Sequence, residues 1–218
     1  MENNLQIVLF PLDCAQINMK IFKNKKGLIL AEALLAIAIL GIGTMVIASL
    51  VDSGTRTMVL SKNYLIAQNL AMEAVETVNS VRDTNWLLQA DDLGCWLELD
   101  PDGSPGCAFK AVIGSYIPEV SGSEWKLTEI FGGLDLENGG SDENYRLKKD
   151  TSAGYERYVY GGIGDNSIFY RGINVLNLVD AEADGIDDYA EFEVVVEWKE
   201  GQKIRSIRWP FILYNHYS

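Results

Sequence analysis

The chain has 218 residues, 48% of them hydrophobic, with 18 Lys and Arg against 31 Asp and Glu for a formal net charge of -13. That length carries one domain, or one domain plus an extension. So acidic a balance excludes broad attraction to phosphate backbones, and no nucleic acid is expected as a direct partner.

In chain order, basic residues come first. Lys20, Lys23, Lys25 and Lys26 precede Gly27, against only Glu2 and Asp13. Leu28 to Val51 follows, 24 residues with the single charge Glu32. About 20 apolar residues span a bilayer core as a helix. Lysines before it and Asp52 after it place the N-terminus in the cytoplasm and the C-terminal part outside. The simplest reading is a signal anchor, but it leaves Glu32 unexplained. A carboxylate in lipid costs roughly 2.5–3.5 kcal/mol and needs a partner. No Lys or Arg occurs between Lys26 and Arg56. The partner is then a backbone group, another chain, or a newly made amine. If the chain is cut after Gly27, Leu28 carries a free α-amino group four residues from Glu32.

"KKG", "LILAE" and "ALLAIAILGIG" together resemble the class III signal of type IV pilins and pseudopilins. That signal has a short basic leader, a Gly, an apolar first mature residue and a Glu at mature position five. Leu28 counted as first makes Glu32 fifth. Phe or Met followed by Thr-Leu-Ile-Glu is the family's usual start, from which Leu28 and "ILAE" depart. The resemblance implies a leader at 1–27 and a transmembrane helix at 28–52. Prepilin peptidase would cut between Gly27 and Leu28 and N-methylate Leu28. The subunit would wait in the inner membrane with its N-terminus cytoplasmic and its head extracytoplasmic. An inner-membrane assembly platform would then move it into a filament at the cell surface, packed on other pilins or pseudopilins through their N-terminal helices. Glu32 would pair with the Leu28 amine of a neighbour, since two charges costly in lipid become tolerable together. From Met19 the leader reads "MKIFKNKKG", so translation is expected to start there, or residues 1–18 to be dispensable.

The helix is expected to continue through residues 53–85 as an amphipathic segment. Tyr64, Ala67, Leu70, Ala71, Ala74, Val75, Val78 and Val81 recur at helical spacing. From Leu28 to Arg82 it would be about 80 Å long at 1.5 Å per residue. Gly41, Gly43, Ser53 and Gly54 weaken it locally. Residues 86–218 read as an extracytoplasmic β-rich head, with 83–107 as a loop region. Expected strands are Ala108–Ile117, Trp125–Ile130, Tyr155–Tyr160, Ile168–Val179, Glu191–Trp198 and Lys203–Tyr214. In "EFEVVVEW", Phe192, Val194, Val196 and Trp198 share one face, with Glu191, Glu193, Val195 and Glu197 on the other. "KEGQ" turns the chain, and Lys203, Arg205 and Arg208 return beside the acids as a hairpin. The fold class is α+β: a long N-terminal helix, transmembrane in its first half and amphipathic in its second, packed on a small antiparallel sheet.

Cys95 and Cys107 bracket a loop rich in Pro and Gly, which makes them a candidate disulfide in an exported chain. In "DAEADGIDDYAE", Asp180, Glu182 and Asp184 stand at positions one, three and five, Gly185 at six and Glu191 at twelve. That is the spacing of a calcium loop, although Glu at position three crowds it and strands flank it. A solvated acidic turn is the alternative, and no cofactor besides calcium is expected. With His216 the lone histidine, a zinc site is not expected and no Ser–His or Cys–His pairing stands out. "GGIGDN" at 161–166 lacks the strand–helix setting of a phosphate cradle. No enzyme is expected. A minor pilin-like structural subunit that assembles into or primes a pilus-like filament fits these features. Its alternatives are a minor pseudopilin of a type II secretion or DNA-uptake system, and an uncleaved membrane-anchored extracellular binding module.

Overall fold

The computed structural model describes residues 25–88, 95–98, 111–121, 124–130, 133–134, 143–152, 154–161 and 164–215. The chain forms two compact units, Met1–Thr57 and Met58–Ser218. One helix, α1 at Lys25–Leu88, belongs to both. Among the described residues seven strands follow: β1 Gly114–Ser121, β2 Glu124–Ile130, β3 Arg146–Asp150, β4 Arg157–Val159, β5 Asp165–Val179, β6 Tyr189–Glu200 and β7 Lys203–Tyr214. They form one sheet, every pairing antiparallel. The α+β class, a long N-terminal helix with an antiparallel sheet, is therefore observed.

In the second unit the helix stripe becomes core. Ala67, Leu70, Ala71, Ala74, Val78 and Val81 are buried, whereas Tyr64 is exposed and Val75 half-buried. They join Phe169, Ile173 and Val175 of β5, Ala190, Phe192, Val194, Val196 and Trp198 of β6, and Leu213 of β7. Alternation along β5 and β6 puts every one of these strand residues on the helix side. The opposite face is covered too: Val195 and Tyr170 meet Ile117, Leu134 and Tyr145 in a second cluster. Gly172 of β5 lies under the Tyr145 ring, where a Cβ would stand 3.1 Å from Cε1.

The β6–β7 hairpin forms as its charges and turn dictate. Gly201 takes φ 61° as the first residue of a two-residue turn, a backbone that side chains disfavour. Arg208 stands opposite Val195 and reaches Glu193 at 3.0 Å and Glu197 at 3.9 Å. Phe192 stacks on its cross-strand partner Phe211 at 5.1 Å.

Several boundaries differ from the sequence expectation. The helix runs past Arg82 and past residue 85 to Leu88. The reason is tertiary: Asn85 Nδ2 donates to the Trp96 and Glu98 carbonyls at 3.1 and 2.9 Å, and Arg82 stacks on Trp86. Loop-like residues thus gain helical order through contacts that propensity does not see. β1 starts at Gly114 instead of residue 108 and runs through Pro118, which pairs with Leu127. β3, "RLKKD", was not expected, because Leu147 is its only apolar residue. β4 is shorter than residues 155–160, and β5 and β6 are longer than their expected spans. In "GGIGDN", Asp165 and Asn166 already belong to β5.

Candidate functional site

The first unit contributes an apolar helix surface. Every Leu, Ile, Met and Val from Leu28 to Val51 is between 53% and 76% exposed. The segment is long and apolar enough to cross a membrane, and none of it is buried within the chain. Its backbone is helical throughout, so its peptide groups pair within the segment, as lipid demands. The Thr44 hydroxyl donates to the Gly41 carbonyl at 2.9 Å. Beyond it, Asp52 and Arg56 form a solvent-exposed pair at 3.0 Å, one helical turn apart.

Glu32 stands on this surface, exposed, with no hydrogen-bond or ion-pair partner among the described residues. Gly27 and Leu28 both lie in α1. A Cβ at Gly27, Gly41, Gly43 or Gly54 would meet nothing within 4 Å. Glycine costs about 1 kcal/mol against alanine in a helix, and no packing against the described residues requires it at these four positions. The remainder of the expected leader, residues 1–24 with Met19, lies outside the described residues.

The other expected sites lie in the second unit. Cys95 is fully buried and disulfide-bonded; Cys107 lies outside the described residues. Asp180, Glu182 and Asp184 sit in the β5–β6 loop, and Glu191 on β6, paired with Asn177 and Ile212. The loop spends its carboxylates on its own amides. Asp180 accepts from the Asp184 and Gly185 amides at 3.2 and 2.9 Å, Asp184 from Ile186 at 2.8 Å, and Asp188 from Ala181 and Glu182. Among the described residues no three His, Cys, Asp or Glu are grouped to hold a metal ion.

The sequence reading missed a buried cation. Arg171 of β5 is 1% exposed. Its Nη1 donates to the Leu70 carbonyl at 3.1 Å and lies 3.4 Å from Glu73 Oε2, tying strand to helix. Its Nε donates to the Tyr160 hydroxyl at 3.0 Å, which itself donates to the Arg171 carbonyl at 2.8 Å. Burial opposes the charge, yet Tyr160 and Glu73 hold its pKa above the ordinary arginine value. Burial pushes the Tyr160 hydroxyl up to about 12. The signal was in plain view: a lone Arg at an inward position of β5, in phase with Phe169, Ile173 and Val175. Nearby, the Ser152 amide and then the Arg157 guanidinium, 2.6 Å away, hold the Asp150 carboxyl down at about 2.

No family model, no curated protein and no solved structure matches this chain. Among the described residues the first unit offers a bare apolar helix with one unpaired carboxylate, Glu32, and the second a β-rich fold with the buried Arg171 at its helix–sheet junction.

Proposed function

We propose that the chain is a minor pilin-like structural subunit, cut after Gly27 by a prepilin peptidase and built into a pilus-like filament through its N-terminal helix. The observation that carries this reading is Glu32: a carboxylate without a partner among the described residues, on a uniformly exposed apolar helix, five residues past a glycine that none of the described residues requires. Lipid alone would cover the apolar residues but leave the charge costly. A neighbour's new α-amine at Leu28 supplies the missing cation and sets the axial register of packing. Gly27 is then needed by the peptidase, which must approach the backbone closely. The role is structural, with the assembly platform and other pilin-like subunits as partners, and the β-rich unit stands on the extracytoplasmic side. The secretion or DNA-uptake pseudopilin reading uses the same processing and the same Glu32 pairing.

Mass spectrometry of the membrane-isolated chain, from cells with an active prepilin peptidase, tests the reading. The expected product begins at a methylated Leu28. Gly27→Leu leaves the precursor uncut, whereas Glu32→Val is cut and fails to enter filaments. An intact Gly27–Leu28 bond in the unaltered chain makes it an uncleaved anchored ectodomain instead.

A further inference from the structure

The charges of the second unit are sorted by end. β6 runs from Tyr189 to Glu200, which makes it about 35 Å long. Beyond its Tyr189 end lies the β5–β6 loop, with five acids between Asp180 and Asp188 and no Lys or Arg. At its Glu200 end the register gathers the starts of β4, β5 and β7 and the end of β3. There Asp165 stands opposite Lys149, Asp150 opposite Arg157 and Glu200 opposite Lys203. α1 enters the unit at this same end, since Tyr64 meets the Trp198 ring at 6.5 Å.

At this end cations outnumber acids. Lys149 holds Glu156 at 2.9 Å, Arg157 holds Asp150 at 2.6 Å and Arg205 holds Glu200 at 3.4 Å. Lys148 and Asp165 add one charge of each sign, and Lys126 faces Glu119 across the β1–β2 hairpin. Lys62, Lys199 and Lys203 remain. All three are exposed, with no acid at ion-pair distance among the described residues. Met58, Tyr64 and Tyr155 stand exposed beside them. Lysine interleaved with tyrosine is the side-chain chemistry of a lipid headgroup zone.

The covalent chain selects what these lysines meet. Six residues separate Val51, the end of the apolar segment, from Met58, where the second unit starts. Even fully extended, that connection reaches about 25 Å. With Leu28–Val51 in a bilayer, lipid is the anionic surface that the chain itself holds within reach. We propose that the lysine end of the second unit rests on anionic lipid headgroups, with Lys62, Lys199 and Lys203 against their phosphates. This rests on the reading of Leu28–Val51 as a membrane span, with or without a cut after Gly27. The acidic loop at the far end lies several Debye lengths away and leaves the contact intact. Opposite signs at the two ends turn the unit so that the loop points away from the membrane.

Hydrogen exchange of the full chain in lipid nanodiscs tests this, with discs of phosphatidylcholine alone compared with discs that also hold phosphatidylglycerol. One lysine near an anionic surface is worth about fivefold in such an equilibrium. Exchange at Gly201 and Gln202, in the β6–β7 turn, is therefore expected to be slower in the anionic discs by about fivefold or more. High salt abolishes the difference, and so does the double variant Lys199→Glu, Lys203→Glu. Exchange at Val194–Val196, in the core, is the same in both discs and in the variant, which separates lost contact from lost fold. The Asp180–Asp188 loop shows no dependence on lipid. Equal exchange at the turn in both discs, a difference that survives the double variant, or equal slowing of the acidic loop overturns the proposal. A chain that does not enter the discs at all overturns the membrane span beneath it.

Discussion

Leu40 and Leu70 are the same residue on the same helix, yet Leu40 is 69% exposed and Leu70 only 3%. Around Leu70 the sheet supplies a cover: Ile173, Val194 and Val196 belong to the same core. Around Leu40 the described residues supply none, and the condition holds for every large apolar residue from Leu28 to Val51. Removing apolar surface from water is worth about 25 cal/mol per Å², so a surface of this kind does not stay in water. The comparison teaches that one continuous helix can carry two apolar stretches, one covered within its folded unit and one left bare among the described residues.

The largest expected effect belongs to Arg171. Arg171→Ala removes a buried cation from Glu73, Tyr160 and the Leu70 carbonyl, and a loss of about 3–5 kcal/mol is expected. Arg171→Met, apolar and of similar length, recovers part of that loss. Thermal unfolding in detergent reads both, and an Arg171→Ala midpoint equal to the unaltered chain's would show that the strand–helix tie is idle. The direct test of the comparison is a pair of identical substitutions. Leu70→Ala is expected to cost about 2–5 kcal/mol through transfer and cavity terms, and Leu40→Ala to leave the β-rich unit within about 0.5 kcal/mol. Equal losses would break the contrast between the two stretches.

Asp150 sharpens the account of the second unit by pH. Its folded pKa of about 2 lies below its ordinary value of 3.8. The ionised form is therefore favoured by folding, through the Ser152 amide and Arg157. Its contribution is complete above pH 4 and is lost as pH falls toward 2. Asp150→Asn is expected to flatten this part of the stability curve, measured as the unfolding midpoint across that window. The smallest effect is at the hairpin. Arg208 is half exposed beside Glu193 and Glu197, so Arg208→Ala is expected to cost less than about 1 kcal/mol, less still at high salt.

Legibility followed the range of the interactions. The apolar segment, the stripe from Ala67 to Val81 and the β6–β7 hairpin were readable, because periodicity and alternating charge are local patterns. β7 was read with its observed ends, Lys203 and Tyr214. β3 was not, since "RLKKD" is a strand only because β4 and β5 flank it. The last helical turn was missed because Asn85 is held by Trp96 and Glu98, 11 and 13 residues on. In the acidic loop the spacing suggested a ligand set, and the fold adds that loop amides donate to Asp180, Asp184 and Asp188.

Local order along the chain was sufficient for a basic cluster, a glycine, an apolar helix with a carboxylate at its fifth position, and a β-rich remainder, because hydropathy and charge act between near neighbours. Only the tertiary structure decided that Arg171 is buried and joins β5 to α1. That fact depends on residues about 100 positions apart meeting, as Leu70 and Arg171 do, and no local pattern carries that distance.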